Sequence, residues 1–206
     1  MPSLRLRLAS IWLPEWELRS GLDKVSSETM EALFSLLKDK APASAASLRP
    51  LLGPLSGTIG HRRAVMASNH SLLVDALVKA IGEEETASLG REALFRVGVK
   101  LGGQSRASLE VGEGIDDLIR AARVLYRILG IRFTIQQRGK EYGMEVRRCA
   151  LSRHYSEMTC RVLCAADEGV IRGLNNSIGM RFDKMITAGF PTCTARIWVE
   201  PGGPTV

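Results

Sequence analysis

The stretch of sequence that decides the fold is residues 131–149, IRFTIQQRGKEYGMEVRRC. From Ile131 onwards, apolar and polar residues alternate, and this period of two is typical of a half-buried β-strand. The turn residues 138–140, Arg-Gly-Lys, separate this strand from a second one over residues 142–149. The stretch therefore predicts a β-hairpin.

Downstream of the hairpin, the pattern predicts one helix and two further strands. Residues 156–174 have helical periodicity and end at two asparagines, and strands are expected over residues 180–188 and 193–199. The C-terminal order is thus β-β-α-β-β, followed by a frayed tail at residues 202–204.

Upstream of the hairpin, apolar residues recur at helical spacing. This spacing predicts helices from about Ser26, over residues 65–81, over residues 83–101 with a stop at Gly102-Gly103, and over residues 115–129. The Pro-, Ala- and Ser-rich residues 41–57 predict a short helix between turns, or a linker. Helices followed by hairpins predict an α+β fold with the helices packed on one face of an antiparallel sheet. We expect residues 1–62 to form an N-terminal helical extension and residues 63–206 to form the α+β domain.

Composition excludes several classes of protein. The chain has 206 residues, 45% of them hydrophobic, which is enough for a core without disulfides. Its net charge of +6 is spread along the chain without runs of like charge or interleaved aromatic residues, so we expect no nucleic-acid partner. No apolar run approaches the roughly 20 residues of a membrane-spanning helix, and Arg5 and Arg7 interrupt the N-terminal segment, which is unlike a secretory leader. We expect a cytoplasmic protein without a membrane partner.

All four cysteines lie in the last third of the chain, at Cys149, Cys160, Cys164 and Cys193. Cys160 and Cys164 are one turn apart on the same face of the predicted helix. Cys149 ends one strand and Cys193 begins another, so both converge on that helix face if the two strands are neighbours. In a reducing compartment, such thiols are more typical of metal ligands or reactive groups than of disulfides.

These thiols have three interpretations that the spacing leaves open. The four cysteines are candidate ligands of zinc, and less readily of an iron–sulfur cluster. One of them is alternatively a reactive nucleophile. The third interpretation is plain packing, because free cysteine is among the most buried residue types.

Titratable residues near the cysteines are candidates for proton transfer and substrate binding. Glu157 and Asp167 share the helix face of Cys160 and Cys164 at i, i+3, i+7, i+10 spacing, and His154 lies just before the helix. These three are the candidate catalytic residues.

Two arginines precede Cys149 and are the candidate substrate-binding residues. Arg147 and Arg148 have the geometry to hold a substrate carboxylate, although a solvated strand edge explains them equally well.

Four motifs in this region resemble those of the L-2-amino-thiazoline-4-carboxylic acid hydrolase-like family. They are Arg-Arg-Cys149, Cys164-Ala-Ala-Asp167, Gly173-Leu-Asn175 and the stretch from Ala188 to Ile197. The layout, over roughly residues 85–199, is also similar to the 4-vinyl reductase domain, a small-molecule-binding α+β module. The sequence departs from the family pattern after Cys149, where Ala150 replaces the usual proline.

The resemblance implies a ligand pocket between the helices and the sheet, with Cys149, Cys164, Asp167 and Cys193 at its rim or floor. It implies a hydrolase of a non-peptide C–N bond in a small carboxylate, such as the cyclic amidine of a thiazoline, with zinc-bound thiolates or a cysteine nucleophile. The alternative is a non-catalytic small-molecule-binding or sensory module with a structural metal. A third possibility is an accessory subunit, in which the helical N-terminal part forms a homodimer.

Overall fold

A computed structural model of the chain describes residues 3–139 and 141–200, with the exception of the Arg138 side chain. The helices are α1 (Leu4–Ile11), α2 (Glu15–Lys40), α3 (Pro42–Leu48), α4 (Ile59–Ile81), α5 (Glu83–Leu109), α6 (Ile115–Leu129) and α7 (Glu157–Leu174). The strands are β1 (Ile131–Arg138), β2 (Glu141–Cys149), β3 (Ile178–Lys184) and β4 (Cys193–Val199). Lys140 of the predicted turn and the predicted tail at residues 202–204 lie outside the described residues. The α+β class and the order β-β-α-β-β are confirmed.

The four strands form one antiparallel sheet with the order β1-β2-β4-β3. The strands β2 and β4 are neighbours, and Val146 lies opposite Cys193 in their register. The inner face of the sheet carries buried apolar side chains such as Met144 and Ile197, while Arg147 and Arg196 point to the other, exposed face. The sheet is therefore half-buried, as the alternation of its residues predicts.

The helices cover the inner face of the sheet. Side chains of α6 and α7, including Leu118 and Ile171, join the strands in the main apolar core. A second core lies between α2, α4, α5 and α7, around Leu33, Leu73 and Val162. The N-terminal helix α2 thus packs into the body of the molecule, beside α4 and α5.

Four predicted boundaries are wrong. The helix expected over residues 65–81 begins at Ile59, and the strand expected over residues 180–188 ends at Lys184. The helix expected from Ser26 begins at Glu15, directly after Pro14, and Ser26 is a buried interior residue of α2. The helix expected to end at Gly102-Gly103 continues to Leu109. Gly102 does not end α5, because it lies where the backbone of α7 crosses: a Cβ on Gly102 would lie 2.3 Å from the Val170 carbonyl oxygen.

One of the described helices, α4, is long and apolar enough to cross a membrane by length and composition alone. In the fold it is a core helix, with Leu73 and Leu77 fully buried. Its polar residues Asn69 and His70 are also buried and make hydrogen bonds inside the protein.

Candidate functional site

A cavity of about 180 Å³ lies between the helices and the inner face of the sheet. Its wall is formed by side chains from α2, α4, α5, α6 and α7 and from all four strands or the segments next to them. Most of these side chains are apolar, for example Met66, Leu125 and Phe182. The position matches the pocket that the family resemblance implies, since it lies between helices and sheet.

All four cysteines line this cavity, namely Cys149, Cys160, Cys164 and Cys193. Burial raises the pKa of Cys149 to about 11 and that of Cys160 and Cys164 to about 12. Burial also raises the pKa of Cys193. The cavity therefore contains neutral thiols at neutral pH, whereas a nucleophile needs the thiolate. A bound metal ion would itself displace the thiol protons, so these pKa values do not bear on metal binding.

A separate feature of the thiols is their arrangement relative to one another and to their hydrogen-bond partners. Among the described residues, no group of three or more His, Cys, Asp or Glu side chains is arranged to hold a metal ion. Cys164 instead accepts a hydrogen bond from Arg91 Nη1 at 3.0 Å, and Cys193 accepts one from the Ile186 backbone N–H at 3.3 Å. The geometry thus gives no support to zinc or to an iron–sulfur cluster, and both remain predictions.

Asp167 is the carboxylic acid among the residues that line the cavity. Its pKa is raised to about 7, chiefly by burial and also by the charge of the neighbouring Glu168, while the nearby Tyr126 hydroxyl acts to lower it. The carboxyl has no ion-pair partner within 4 Å in the described part of the chain, and the polar group that acts on it there is the Tyr126 hydroxyl. Asp167 is thus available to a ligand and changes its charge close to neutral pH.

Tyr126 of α6 contributes a second polar group to the same wall. The side chain is only 2% exposed, and its hydroxyl lies near the Asp167 carboxyl but makes no hydrogen bond of good geometry with any described residue. A buried hydroxyl without a partner costs about 1–3 kcal/mol, which a ligand that bonds to it would recover. Tyr126 and Asp167 together form what we call the polar pole of the cavity.

A buried hydrogen-bonded chain lines the cavity on another side. His70 Nε2 lies 2.8 Å from Thr29 Oγ1, and His70 Nδ1 lies 2.8 Å from the Tyr155 hydroxyl. The Thr29 hydroxyl donates its proton to the Val25 carbonyl at 2.7 Å, so Nε2–H donates to Thr29 and Tyr155 donates to Nδ1. Burial lowers the pKa of His70 to about 4, so the ring is neutral at physiological pH.

Glu168, the neighbour of Asp167, faces away from the cavity and holds α5, α7 and β3 together. Its carboxylate accepts a hydrogen bond from Arg91 Nη2 at 2.7 Å and one from the Phe182 backbone N–H at 3.3 Å. The pair is largely buried, so its contribution is to fix the wall that carries Asp167 and Cys164.

The other predicted site residues lie outside the cavity. His154 is in the turn before α7, and Glu157 is exposed in the first turn of that helix. Arg147 and Arg148 are exposed on β2, where Arg147 Nη2 lies 3.1 Å from the Glu145 carboxylate. The structure thus brings together the four cysteines and Asp167, but not the two arginines or the other two proton-transfer candidates.

Sequence reasoning missed several lining residues. His70, Tyr126 and Tyr155 belong to no motif, and the helical periodicity gave Tyr126 only as part of an apolar stripe. Lys24 of α2, an exposed residue, is the basic side chain among the lining residues. Nothing in the sequence pattern marks Lys24, because it comes from the segment expected to be a separate extension.

Comparison with known families and structures gives the following matches. A family model described as L-2-amino-thiazoline-4-carboxylic acid hydrolase matches residues 61–197, which is more than half of the chain. No curated protein matches the chain in sequence.

Two solved structures share the fold. Trafficking protein particle complex subunit 3 from Naegleria fowleri, covalently bound to palmitic acid, is 12% identical with a TM-score of 0.53, covering 68% of this chain and 95% of that chain. The phenol-responsive sensory domain of the transcription activator PoxR, solved with phenol, is 17% identical with a TM-score of 0.50, covering 71% of this chain and 76% of that chain. At these identities the likeness shows the fold alone.

Proposed function

The chain belongs to the L-2-amino-thiazoline-4-carboxylic acid hydrolase family, and from this premise we propose that it hydrolyses a C–N bond of a small molecule held in the cavity. The observation that carries the proposal is Asp167, whose carboxyl lines a mainly apolar cavity and has a pKa of about 7. A group that titrates near the working pH is suited to take a proton from water and to return it to a leaving group.

The size of the cavity supports a ligand of one ring. A cavity of about 150 Å³ in another protein binds benzene, and the cavity here is of similar size, about 180 Å³. A five- or six-membered ring therefore fits within the cavity.

The proposed reaction uses water as the other reactant. The Asp167 carboxylate accepts a proton from a water molecule as the water oxygen bonds to the carbon of a protonated cyclic amidine and the C=N π electrons move to the ring nitrogen. The remaining C–N single bond then breaks as the added hydroxyl becomes a carbonyl. The departing nitrogen takes the proton that Asp167 held, which restores the carboxylate, and the hydroxyl proton passes to water. Tyr126, whose hydroxyl has no partner among the described residues, is placed to donate a hydrogen bond at this pole.

For a substrate that also carries a carboxylate, we propose Lys24 as its partner. Lys24 is the basic lining residue, whereas Arg147 and Arg148 lie outside the cavity. The four thiols take no part in the proposed step, because their raised pKa values keep them protonated. The predicted zinc is tested separately, by elemental analysis of the purified protein.

The test measures hydrolysis of 2-amino-thiazoline-4-carboxylate between pH 5 and 9. We expect the rate to rise with pH through about 7 and to fall at least about 100-fold in Asp167→Asn, with an unchanged circular dichroism spectrum. The matched control is Glu157→Gln, an exposed acid on the same helix, which should retain full activity. Full activity of Asp167→Asn would overturn the proposed role of Asp167.

A second candidate function is non-catalytic binding of a small molecule. The neutral thiols and the mainly apolar wall favour it, and one fold neighbour is a sensory domain solved with phenol. Calorimetry with the thiazoline and with phenol separates the two functions. Binding without turnover at any pH supports the binding module, and binding with turnover supports the hydrolase.

A further inference from the structure

An apolar face lies exposed at the N-terminus, away from the cavity. Five large apolar side chains within residues 4–16 are 60–79% exposed. These residues, which we call the N-terminal apolar face, are Leu4, Leu8, Ile11, Trp12 and Trp16. Elsewhere in the described chain, few large apolar side chains are as exposed as these five; Leu51, at 65%, is one of them. Such a concentration of exposed apolar residues marks an interaction site.

The face is held in place by the rest of the protein. At about 100° per residue, Leu4, Leu8 and Ile11 fall within one sector of α1 of roughly 60°, and Leu6 falls on the opposite side. Leu6 is fully buried in the main core. The helix α1 is thus fixed to the body by its inner side, and the apolar sector points outwards.

Hydrogen bonds at both ends of α1 fix it further. Ser3 Oγ donates to the Leu109 carbonyl at 2.7 Å, and Arg127 Nη2 donates to the Ser10 carbonyl at 2.6 Å. Leu4, Leu8 and Ile11 therefore belong to a helix that is held to the body of the protein, and Trp12 and Trp16 follow it at the C-cap and in the first turn of α2.

Basic side chains flank the apolar sector on both sides. On the helical wheel, Arg5 lies beside one edge of the sector and Arg7 beside the other. Residues 3–14 contain no acidic residue, and Glu15 and Glu17 flank Trp16 at the end of the face. Arg5 is 68% exposed, and its pair with Glu110 at 3.3 Å is a surface ion pair, which is weak and easily exchanged.

We propose that the N-terminal apolar face docks on the surface of an anionic lipid bilayer. Leu, Ile and Trp side chains of an interfacial helix enter the boundary of the acyl chains, and indole rings favour that depth. Arginine side chains at the edges extend to the lipid phosphates while their stems cover apolar surface. The positive charge of α1 complements the negative charge of such a surface.

A second copy of the chain fits this face less well. In a two-fold symmetric contact the same patch lies on both sides, so the arginines of the two copies approach each other. Residues 3–14 supply no acidic partner for them. The next acids along the chain, Glu15 and Glu17, flank Trp16 at the end of the face, and Glu15 pairs with Arg19 of its own helix. The charge pattern thus favours lipid over the homodimer expected through the N-terminal part.

The test is co-sedimentation of the full chain with vesicles of phosphatidylcholine alone or mixed with phosphatidylglycerol. We expect binding to the mixed vesicles, and at least about tenfold weaker binding to phosphatidylcholine alone or at high salt. The double variant Leu8→Glu/Ile11→Glu should abolish binding, and Arg5→Gln/Arg7→Gln should weaken it roughly tenfold. Leu51→Glu is the matched control, since Leu51 is equally exposed but lies outside the face, and it should bind as the unaltered chain does.

The variants change exposed residues, so their circular dichroism spectra and melting temperatures should stay unchanged. Absence of binding to the mixed vesicles, or an equal loss in Leu51→Glu, would overturn the proposal. Light scattering tests the alternative occupant, a second copy of the chain. If the unaltered chain is a dimer that Leu8→Glu/Ile11→Glu dissociates, and if it does not bind vesicles, the face belongs to the dimer contact instead.

Discussion

Gly98 of α5 and Gly169 of α7 are in backbone contact. A Cβ atom on Gly98 would lie 2.1 Å from the Ala166 carbonyl oxygen, and one on Gly169 would lie 2.2 Å from the Phe95 carbonyl oxygen. Two helices approach this closely only where neither carries a side chain. The contact places Asp167, two residues before Gly169, at the cavity wall.

Alanine at this contact should destabilise the fold. In Gly98→Ala the added methyl group meets backbone, which cannot rotate away, so α5 and α7 must separate. We expect a loss of at least about 2–3 kcal/mol in the free energy of unfolding, measured by urea denaturation.

Gly103→Ala is the control for this prediction, because a Cβ there meets no atom within 4 Å. Gly103 lies in the same helix, and its replacement by alanine should raise the free energy of unfolding by about 0.5–1 kcal/mol. Equal effects of Gly98→Ala and Gly103→Ala would show that helix propensity, and not the close approach, decides the outcome.

His70 should make the fold sensitive to acid. Burial lowers its pKa from 6.5 to about 4, so the unfolded chain takes up a proton in that range that the folded chain does not. The stability that His70 contributes is present above about pH 6.5 and is lost as the pH falls towards 4, roughly 3 kcal/mol in all. Urea denaturation at pH 4.5 and 7 should show a smaller pH effect for His70→Gln than for the unaltered chain, and equal effects would contradict the prediction.

Asp167 should change the pH dependence of the stability in the opposite direction to His70. Its pKa is raised from 3.8 to about 7, so the folded chain keeps a proton that the unfolded chain releases. The stability contributed by the protonated form is complete below about pH 4 and is lost as the pH rises through 7. We expect Asp167→Asn to be more stable than the unaltered chain at pH 8, by roughly 2–4 kcal/mol, and equally stable near pH 4.

The control for Asp167→Asn is Asp183→Asn, which removes an exposed carboxylate that pairs with Arg196 on the sheet. It should change the stability by less than about 1 kcal/mol at either pH. A difference between Asp167→Asn and the unaltered chain that is the same at pH 4 and pH 8 would contradict the raised pKa of Asp167.

The thiols should react slowly while the protein is folded. With pKa values of about 11 for Cys149 and about 12 for Cys160 and Cys164, the thiolate fraction at pH 7.5 is very small. Alkylation by iodoacetamide should be more than about 100-fold slower than in urea, where all four thiols are free. One thiol that reacts as fast in the folded protein as in urea would instead identify a cysteine nucleophile.

The sequence was sufficient for the parts of the fold that depend on local periodicity. The helix over residues 115–129, the strand over residues 193–199 and the helix over residues 156–174 agree with the structure to within one residue. The end of α5 was missed because glycine has two common roles in helices. It ends many of them, but Gly102 instead allows the backbone of α7 to approach α5 closely. Only the partner helix decides between them.

The candidate site was predictable to the extent that its residues are close in sequence. The spacing of Cys160, Cys164 and Asp167 on one helix face led to residues that do line the cavity. His70 could not be found in this way, because its partners Thr29 and Tyr155 are 41 and 85 residues distant. Such contacts arise from the packing of α2, α4 and α7, which no local pattern records.

The position of α2 limits how this protein can be shortened. Gly21, Lys24, Val25 and Thr29 lie in the cavity wall, yet all four precede the family match that begins at residue 61. A fragment that begins at residue 61 would lack one side of the cavity wall. It would also expose the apolar surfaces of α4 and α5 and remove Thr29, the hydrogen-bond partner of His70. Any shortened version that is meant to keep an intact cavity must therefore include α2, which ends at Lys40.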